Sequence, residues 1–213
     1  MKFHLLVLLL CFFSTINAQT YKAKIITNQG TIIIELYDGT PLHRDNFIQL
    51  ANRHYYDSLL FHRVINGFVI QAGDPYSKHA NSGVLLGDSD LGYTIPAELK
   101  PEKYFHKPGA VGMARDGNPE KASSACQFYI VQGKVVNDST FVKAKSRSGY
   151  EITEENKQVY RILGGTPRLD SLYTVFGEVI GGMDVVDKIA AMETDKNDRP
   201  KNEVRIKKVS IIK

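Results

Sequence analysis

Short β-branched and aromatic runs, separated by turn residues, recur along this chain and limit its fold more than any other feature. Tyr21–Thr27 and Thr31–Leu36 are rich in Ile and Thr, and Asn28-Gln29-Gly30 between them reads as a hairpin turn. Phe61–Gln71 surrounds Asn66-Gly67, a pair that accepts the backbone of a tight hairpin. Gly109–Ala114, Gln127–Val131, Thr174–Ile180 and Val204–Ile212 continue the series. Strands so spaced predict an antiparallel barrel or sandwich.

Helical periodicity stands out near the two ends. Thr40 before Pro41 is a start signal, and Phe47, Leu50, Ala51 and His54 recur at helical spacing, predicting a helix from Pro41 to about Arg53. Val186, Ile189 and Ala190 predict a second over Met183–Met192. Residues 134–165 read as a loop-helix insertion between two strands. A polar, basic stretch with Lys143, Lys145 and Arg147 leads there into a helix over Glu151–Leu163, capped by Thr153, with Ile152, Val159, Tyr160 and Leu163 on one stripe.

The first eighteen residues combine Lys2, an apolar run from Leu5 to Phe13 and a small-residue end at Ala18, the layout of a cleaved secretory signal peptide. The run falls well short of the roughly 20 residues a bilayer span needs. The expectation is an exported protein, periplasmic or secreted, with no stable membrane span and one domain over residues 19–213. Cleavage removes Cys11 and leaves Cys126 alone, so no internal disulfide forms and the core must suffice.

Of the 213 residues, 43% are apolar and 23% charged, which excludes a disordered chain. The formal net charge is only +4 with both signs interspersed, and the Lys143–Arg147 stretch lacks interleaved aromatics, so no nucleic acid is expected as partner. The histidines form no paired ligand spacing, so no metal is expected. Cys126 lies in a strand and reads as a small buried side chain rather than a nucleophile. The glycines make no phosphate loop.

Phe61-His62-Arg63-Val64-Ile65-Asn66-Gly67-Phe68-Val69-Ile70-Gln71-Ala72-Gly73-Asp74 is the most informative segment. Strand alternation sets Arg63 beside Ile65 and puts Phe68 and Ile70 on the face opposite Val69 and Gln71. By itself, Arg63 could be a solvated charge. The segment closely resembles the cyclophilins, the family of cyclophilin-type peptidyl-prolyl cis-trans isomerases. The resemblance continues at Gly109–Arg115, Gln127–Ile130 and Leu169–Gly177, in the family's order. It implies a mainly β fold, an eight-stranded antiparallel closed barrel capped by two helices, and a monomer acting without a cofactor on proline-containing unfolded or flexible polypeptides. It also implies roles. Arg63 corresponds to the catalytic arginine, with Phe68 and Gln71 beside it, and Phe68, Val69, Tyr129 and Leu169 correspond to the proline pocket. Ala114 and Arg115 match the segment that pairs with residues preceding proline, and Gln127 and Tyr173 match neighbouring site positions.

Those residue types suit the reaction. Rotating an X-Pro bond breaks amide resonance over a barrier near 20 kcal/mol, and no covalent bond is exchanged. The site must therefore fit the twisted amide better than the planar one. Twisting localises a lone pair on the proline nitrogen, and an arginine offers it rigid, permanently charged donors.

Three positions depart from the family pattern. Tyr129 stands where many members have Phe, and its buried hydroxyl needs a partner. Arg168 replaces a tryptophan that contacts cyclosporin in some members, so weak cyclosporin inhibition is expected. Arg115 replaces a smaller polar residue, which is expected to shift preference towards acidic residues near the proline. The rival reading is a binding module that uses the same groove, with isomerisation incidental.

Overall fold

The computed structural model describes residues 21–212; the leader expected over residues 1–18 lies outside them. Two strands, β1 (Tyr21–Thr27) and β2 (Thr31–Leu36), form the expected first hairpin. Its turn is closed by Thr27, whose Oγ1 accepts from the N–H groups of Gln29 and Gly30 at 2.9 and 3.1 Å. Helix α1 (Pro41–Asn52) comes next, starting with proline at its first position and burying His43, Phe47, Leu50 and Ala51. His54, expected on that stripe, lies past the helix end at φ 56° and is exposed.

The remaining elements are β3 (Phe61–Ile65), β4 (Val69–Ala72), β5 (Thr94–Ile95), β6 (Ala110–Met113), β7 (Ser123–Ser124), β8 (Phe128–Val131), α2 (Asp138–Ser148), α3 (Glu154–Leu163), β9 (Val175–Gly181), α4 (Met183–Ala190) and β10 (Ile206–Ile212). Eight strands form one antiparallel sheet in the order β10-β1-β2-β9-β6-β8-β4-β3, and β5 pairs with β7 separately. The sheet curls until its edges approach, but closure is partial, which corrects the closed barrel of the sequence reading. Its edge strands β10 and β3 form no ladder. An isolated Leu60–Arg205 bridge and the Phe61 N–H to Val204 carbonyl bond link the two ends instead. The curled sheet encloses Ile25, Ile32, Ile34, Val64, Ile70, Val111, Phe128 and Phe176, while α1 and α4 add Phe47, Leu50, Val186 and Ile189 to the same core. Phe128 lies among the rings of Phe47, Tyr56 and Phe61 at 5.5, 5.5 and 6.3 Å. Truncating such a side chain to alanine costs about 3–5 kcal/mol.

The basic stretch of residues 134–165 is helix α2, not a loop. Only Phe141 and Ala144 of α2 are buried, and Gly149 ends it in the left-handed conformation at φ 71°. Helix α3 begins as expected, with the Thr153 side chain accepting from the Asn156 N–H at 3.2 Å. Its buried face, however, is Asn156 and Tyr160, and Leu163 is exposed. Asn156 suits this face because its amide donates to the carbonyls of Pro101 and Glu102, both at 3.2 Å. Phe141, Ala144, Ile152 and Tyr160 form a small core of their own. Lys134 and Gly165 meet in an antiparallel bridge where the chain leaves the sheet and returns.

Candidate active site

Strands β4, β6 and β8 are adjacent in the sheet, and alternation divides their side chains between two apolar clusters. Ile70, Ala72, Val111, Met113, Phe128 and Ile130 point into the main core. Val69, Ala110, Tyr129 and Val131 form a second cluster on the outer face with Leu169 and Val175. A pocket of about 170 Å³ opens on that outer face, lined by Arg63, Phe68, Val69, Gln71, Ala114, Arg115, Tyr129, Leu169 and Tyr173.

Arg63 is directly opposite Gln71 in the β3–β4 register, and Ile65 is opposite Val69. Opposed residues share a face, so Arg63, Val69 and Gln71 look out together while Val64 and Ile70 look in. Phe68 departs from the alternation expected of it. It belongs to the turn, its N–H donates to the Ile65 carbonyl at 3.0 Å, and Gly67 at φ 70° carries the reversal. Freed from the strand period, its ring joins Val69 and Tyr129 around the pocket.

The Tyr129 hydroxyl turns away into a buried chain of hydrogen bonds. It meets His106 Nε2 at 2.8 Å, His106 Nδ1 meets Asp170 Oδ1 at 2.8 Å, and Tyr160 on α3 donates to Asp170 Oδ2 at 2.7 Å. Every link is satisfied when the Tyr129 hydroxyl donates to His106 and His106 donates to Asp170. Burial pushes the Tyr129 phenol well up, which keeps it a donor. The ring crosses β6 at Gly112, where a Cβ would come within 2.4 Å of the Tyr129 hydroxyl oxygen. His106, Asp170 and Tyr160 escaped the sequence reading because they are distant in the chain; their one local signal is the Leu169-Asp170 block.

Gln127 adjoins the pocket without lining it. Its amide donates to the carbonyls of Gly87 and Ser89, both at 2.8 Å, and its oxygen accepts from Gln71 Nε2 at 3.0 Å. It therefore fixes the Gln71 side chain and the loop beside it. Ala114 has both backbone groups occupied, its N–H by the Gln127 carbonyl and its carbonyl by the Ser124 N–H. Arg115 alone of that segment has backbone groups unpaired among the described residues, so a partner strand can bond only there. The Arg115 guanidinium donates to the carbonyls of Leu172, Asp116 and Asn118 and stacks over Tyr173. Arg168 lies over the Phe68 ring, 4.0 Å from its centroid.

Cys126 is fully buried, and burial pushes its thiol up to about 12, an inert core position. Among the described residues, no group of three or more His, Cys, Asp or Glu side chains could hold a metal ion, and no helix is long and apolar enough to cross a membrane.

A curled sheet bearing an apolar cup on its outer face, a cation at the rim and an unpaired backbone segment alongside defines a protein that handles extended polypeptide. The comparisons agree with this class. A family model described as cyclophilin type peptidyl-prolyl cis-trans isomerase/CLD matches residues 22–211. A Staphylococcus saprophyticus relative named as a putative peptidyl-prolyl cis-trans isomerase is 33% identical, with 92% of this chain and 94% of the relative covered. A Rhizopus delemar peptidyl-prolyl cis-trans isomerase-like 2 is also 33% identical over 93% of this chain, but the chain spans only 30% of that protein. A crystal structure of a Cryptosporidium parvum cyclophilin type isomerase covers 92% of this chain and 99% of its own, at 26% identity and TM-score 0.66. A second crystal structure of that protein, in the presence of the dipeptide Ala-Pro, has TM-score 0.64 at the same identity, covering 90% and 99%. The chain belongs to the cyclophilin-type peptidyl-prolyl cis-trans isomerases.

Proposed function

We propose that this chain accelerates rotation about X-Pro bonds in unfolded or flexible polypeptides, with Arg63 as the catalytic group. The observation that carries this reading is Arg63 facing Gln71 at the rim of a cup walled by Phe68, Val69, Tyr129 and Leu169. The proline ring enters the cup and loses its water, and the backbone before it pairs with Arg115. As the amide twists, the proline nitrogen becomes a hydrogen-bond acceptor. A guanidinium donor aimed there stabilises the transition state alone, because the planar amide lacks that lone pair. Apolar walls keep water away and strengthen the bond. Gln71, steadied by Gln127, holds the substrate backbone in register.

The test is exchange kinetics on a short X-Pro peptide. Arg63→Ala is expected to lose about a hundred- to a thousand-fold in kcat/KM, the loss typical of removing one preorganised donor, with the fold retained. Wild-type turnover by that variant overturns the role. Retained peptide binding by a wild-type chain with no isomerisation would favour the binding-module reading.

We also propose that the protein works outside the cytoplasm. Lys2, the Leu5–Phe13 run and Ala18 support export. N-terminal sequencing of the fractionated protein tests it: a chain starting at Gln19 in the exported fraction is expected, and an intact Met1 in the cytoplasm overturns it.

A further inference from the structure

The cup is the middle of three contiguous cavities. On one side it shares Gln71, Ala114 and Arg115 with a small cleft that also holds Asp88, Asp90 and Asp116. On the other it shares Phe68 with a groove of about 550 Å³ between the β3–β4 turn and helix α2. The outer two cavities have no residue in common, so a chain crossing the cup enters by one and leaves by the other. Under the isomerase reading, on which this inference rests, residues before the proline pair with Arg115. Residues after it therefore leave past Phe68 into the larger groove.

The groove differs in charge from the cleft. Its lining includes Lys134, Lys143 and Arg168 and no acidic side chain. Among the described residues, none of the three has an acidic partner within 4.0 Å, although Lys145 and Arg161 on the neighbouring helices do. Further cations stand near Arg168 outside the groove. Partial burial, then the charges of Arg147 and Arg63, hold the Arg168 guanidinium below its ordinary value. The hydroxyls of Ser139 and Thr140 also line the groove; both donate to Asn137 Oδ1, at 2.7 and 3.1 Å, and so offer their lone pairs to backbone N–H groups, while the Thr166 hydroxyl beside them is buried without a partner among the described residues. Cations that line one groove without an acidic partner have unused capacity for an anionic ligand.

We propose that this groove binds an acidic stretch of the substrate polypeptide lying just after the isomerised proline. Carboxylates two to four residues downstream meet Lys134, Lys143 and Arg168, and the chain backbone meets the hydroxyls. The enzyme then selects among proline sites by the residues on their C-terminal side, and residues 134–165 contribute the selecting charges.

Three X-Pro peptides of equal length, with Glu-rich, Ser-rich or Lys-rich residues after the proline, are compared by NMR exchange spectroscopy. A fourth peptide ends one residue after the proline. The Glu-rich peptide is expected to exceed the Lys-rich one in kcat/KM by about 3- to 30-fold at low salt, the sum of a few exposed charge pairs. That ratio should collapse towards one at about 0.5 M salt. Combined Lys134→Glu and Lys143→Glu substitution should invert the order while leaving the shortest peptide unaffected. Equal turnover of the three long peptides by wild type, or an unchanged order in the double variant, overturns the proposal alone. A chain that isomerises none of the four overturns the isomerase reading together with it.

Discussion

Arg63 Nε lies 3.5 Å from Asp198 Oδ2, across the gap between β3 and the turn that precedes β10. The Asp198 carbonyl also accepts from the Val64 N–H at 2.8 Å, so this turn is tied to the strand that carries Arg63. The pairing engages Nε and leaves the two terminal nitrogens without a hydrogen bond among the described residues. Both partners are about half exposed, so the pair orients the guanidinium more than it stabilises the fold. Asp198→Asn, which removes the charge and keeps a residue type that tolerates the left-handed φ of 61° here, is expected to lower kcat/KM on an X-Pro peptide by about two- to fivefold, the worth of one exposed ion pair. Thermal stability should stay nearly constant. A loss as deep as that of Arg63→Ala would mean that Asp198 contributes more than orientation.

Tyr129 separates stability from activity. In Tyr129→Phe the aromatic wall of the pocket survives, but His106 Nε2 loses its partner inside the protein. An orphaned buried polar atom costs about 1–3 kcal/mol. Chemical denaturation should register that loss while kcat/KM stays within a few-fold of wild type. A large drop in activity at unchanged stability would put the hydroxyl in the reaction.

Acid should destabilise the fold through buried imidazoles. His62 is 2% exposed with neither ring nitrogen hydrogen-bonded, and burial pushes it down to about 4, partly opposed by Asp74. The unfolded chain takes up this proton near pH 6.5. Between about pH 6.5 and 4 the unfolded state therefore binds the proton and the folded state does not. The stability is present in full above that window and is lost as pH falls through it, by up to about 3 kcal/mol. His43 is lowered as well, by burial against the opposing pull of Glu98. Urea midpoints at pH 7.5 and 4.5 should show a smaller acid loss in His62→Leu than in wild type; equal losses would exonerate His62.

Cyclosporin should inhibit weakly, because the position where some relatives carry a tryptophan holds Arg168, stacked on Phe68. Arg168→Trp should tighten inhibition by about tenfold or more, as expected for a central aromatic contact. Nanomolar inhibition of the wild-type chain would show that this position does not govern the drug.

The strands are legible in the sequence because burial on a sheet face leaves a period of two. β8 shows it best, with Phe128 and Ile130 in one cluster and Tyr129 and Val131 in the other. Helix α2 leaves no such mark because only Phe141 and Ala144 are buried, too few for a stripe among so many charges. Leu163 misleads for the opposite reason: an apolar residue on the expected stripe stays exposed, while Asn156 is buried because two carbonyls await its amide.

Order along the chain, read residue by residue, determined the strand-rich class, the first hairpin and the two core helices, since each depends on near neighbours and on side-chain type, while the candidacy of Arg63 came from the resemblance of its whole segment to the cyclophilins. Tertiary structure alone decided that Phe68, assigned to the pocket by resemblance, leaves the strand period to reach it. It also decided that Tyr129 reaches His106, that Asp198 stands beside Arg63, and that three cations line one groove without an acid. Those relationships join residues far apart in the chain, and only the curl of the sheet and the return of residues 134–165 to it bring them within bonding distance.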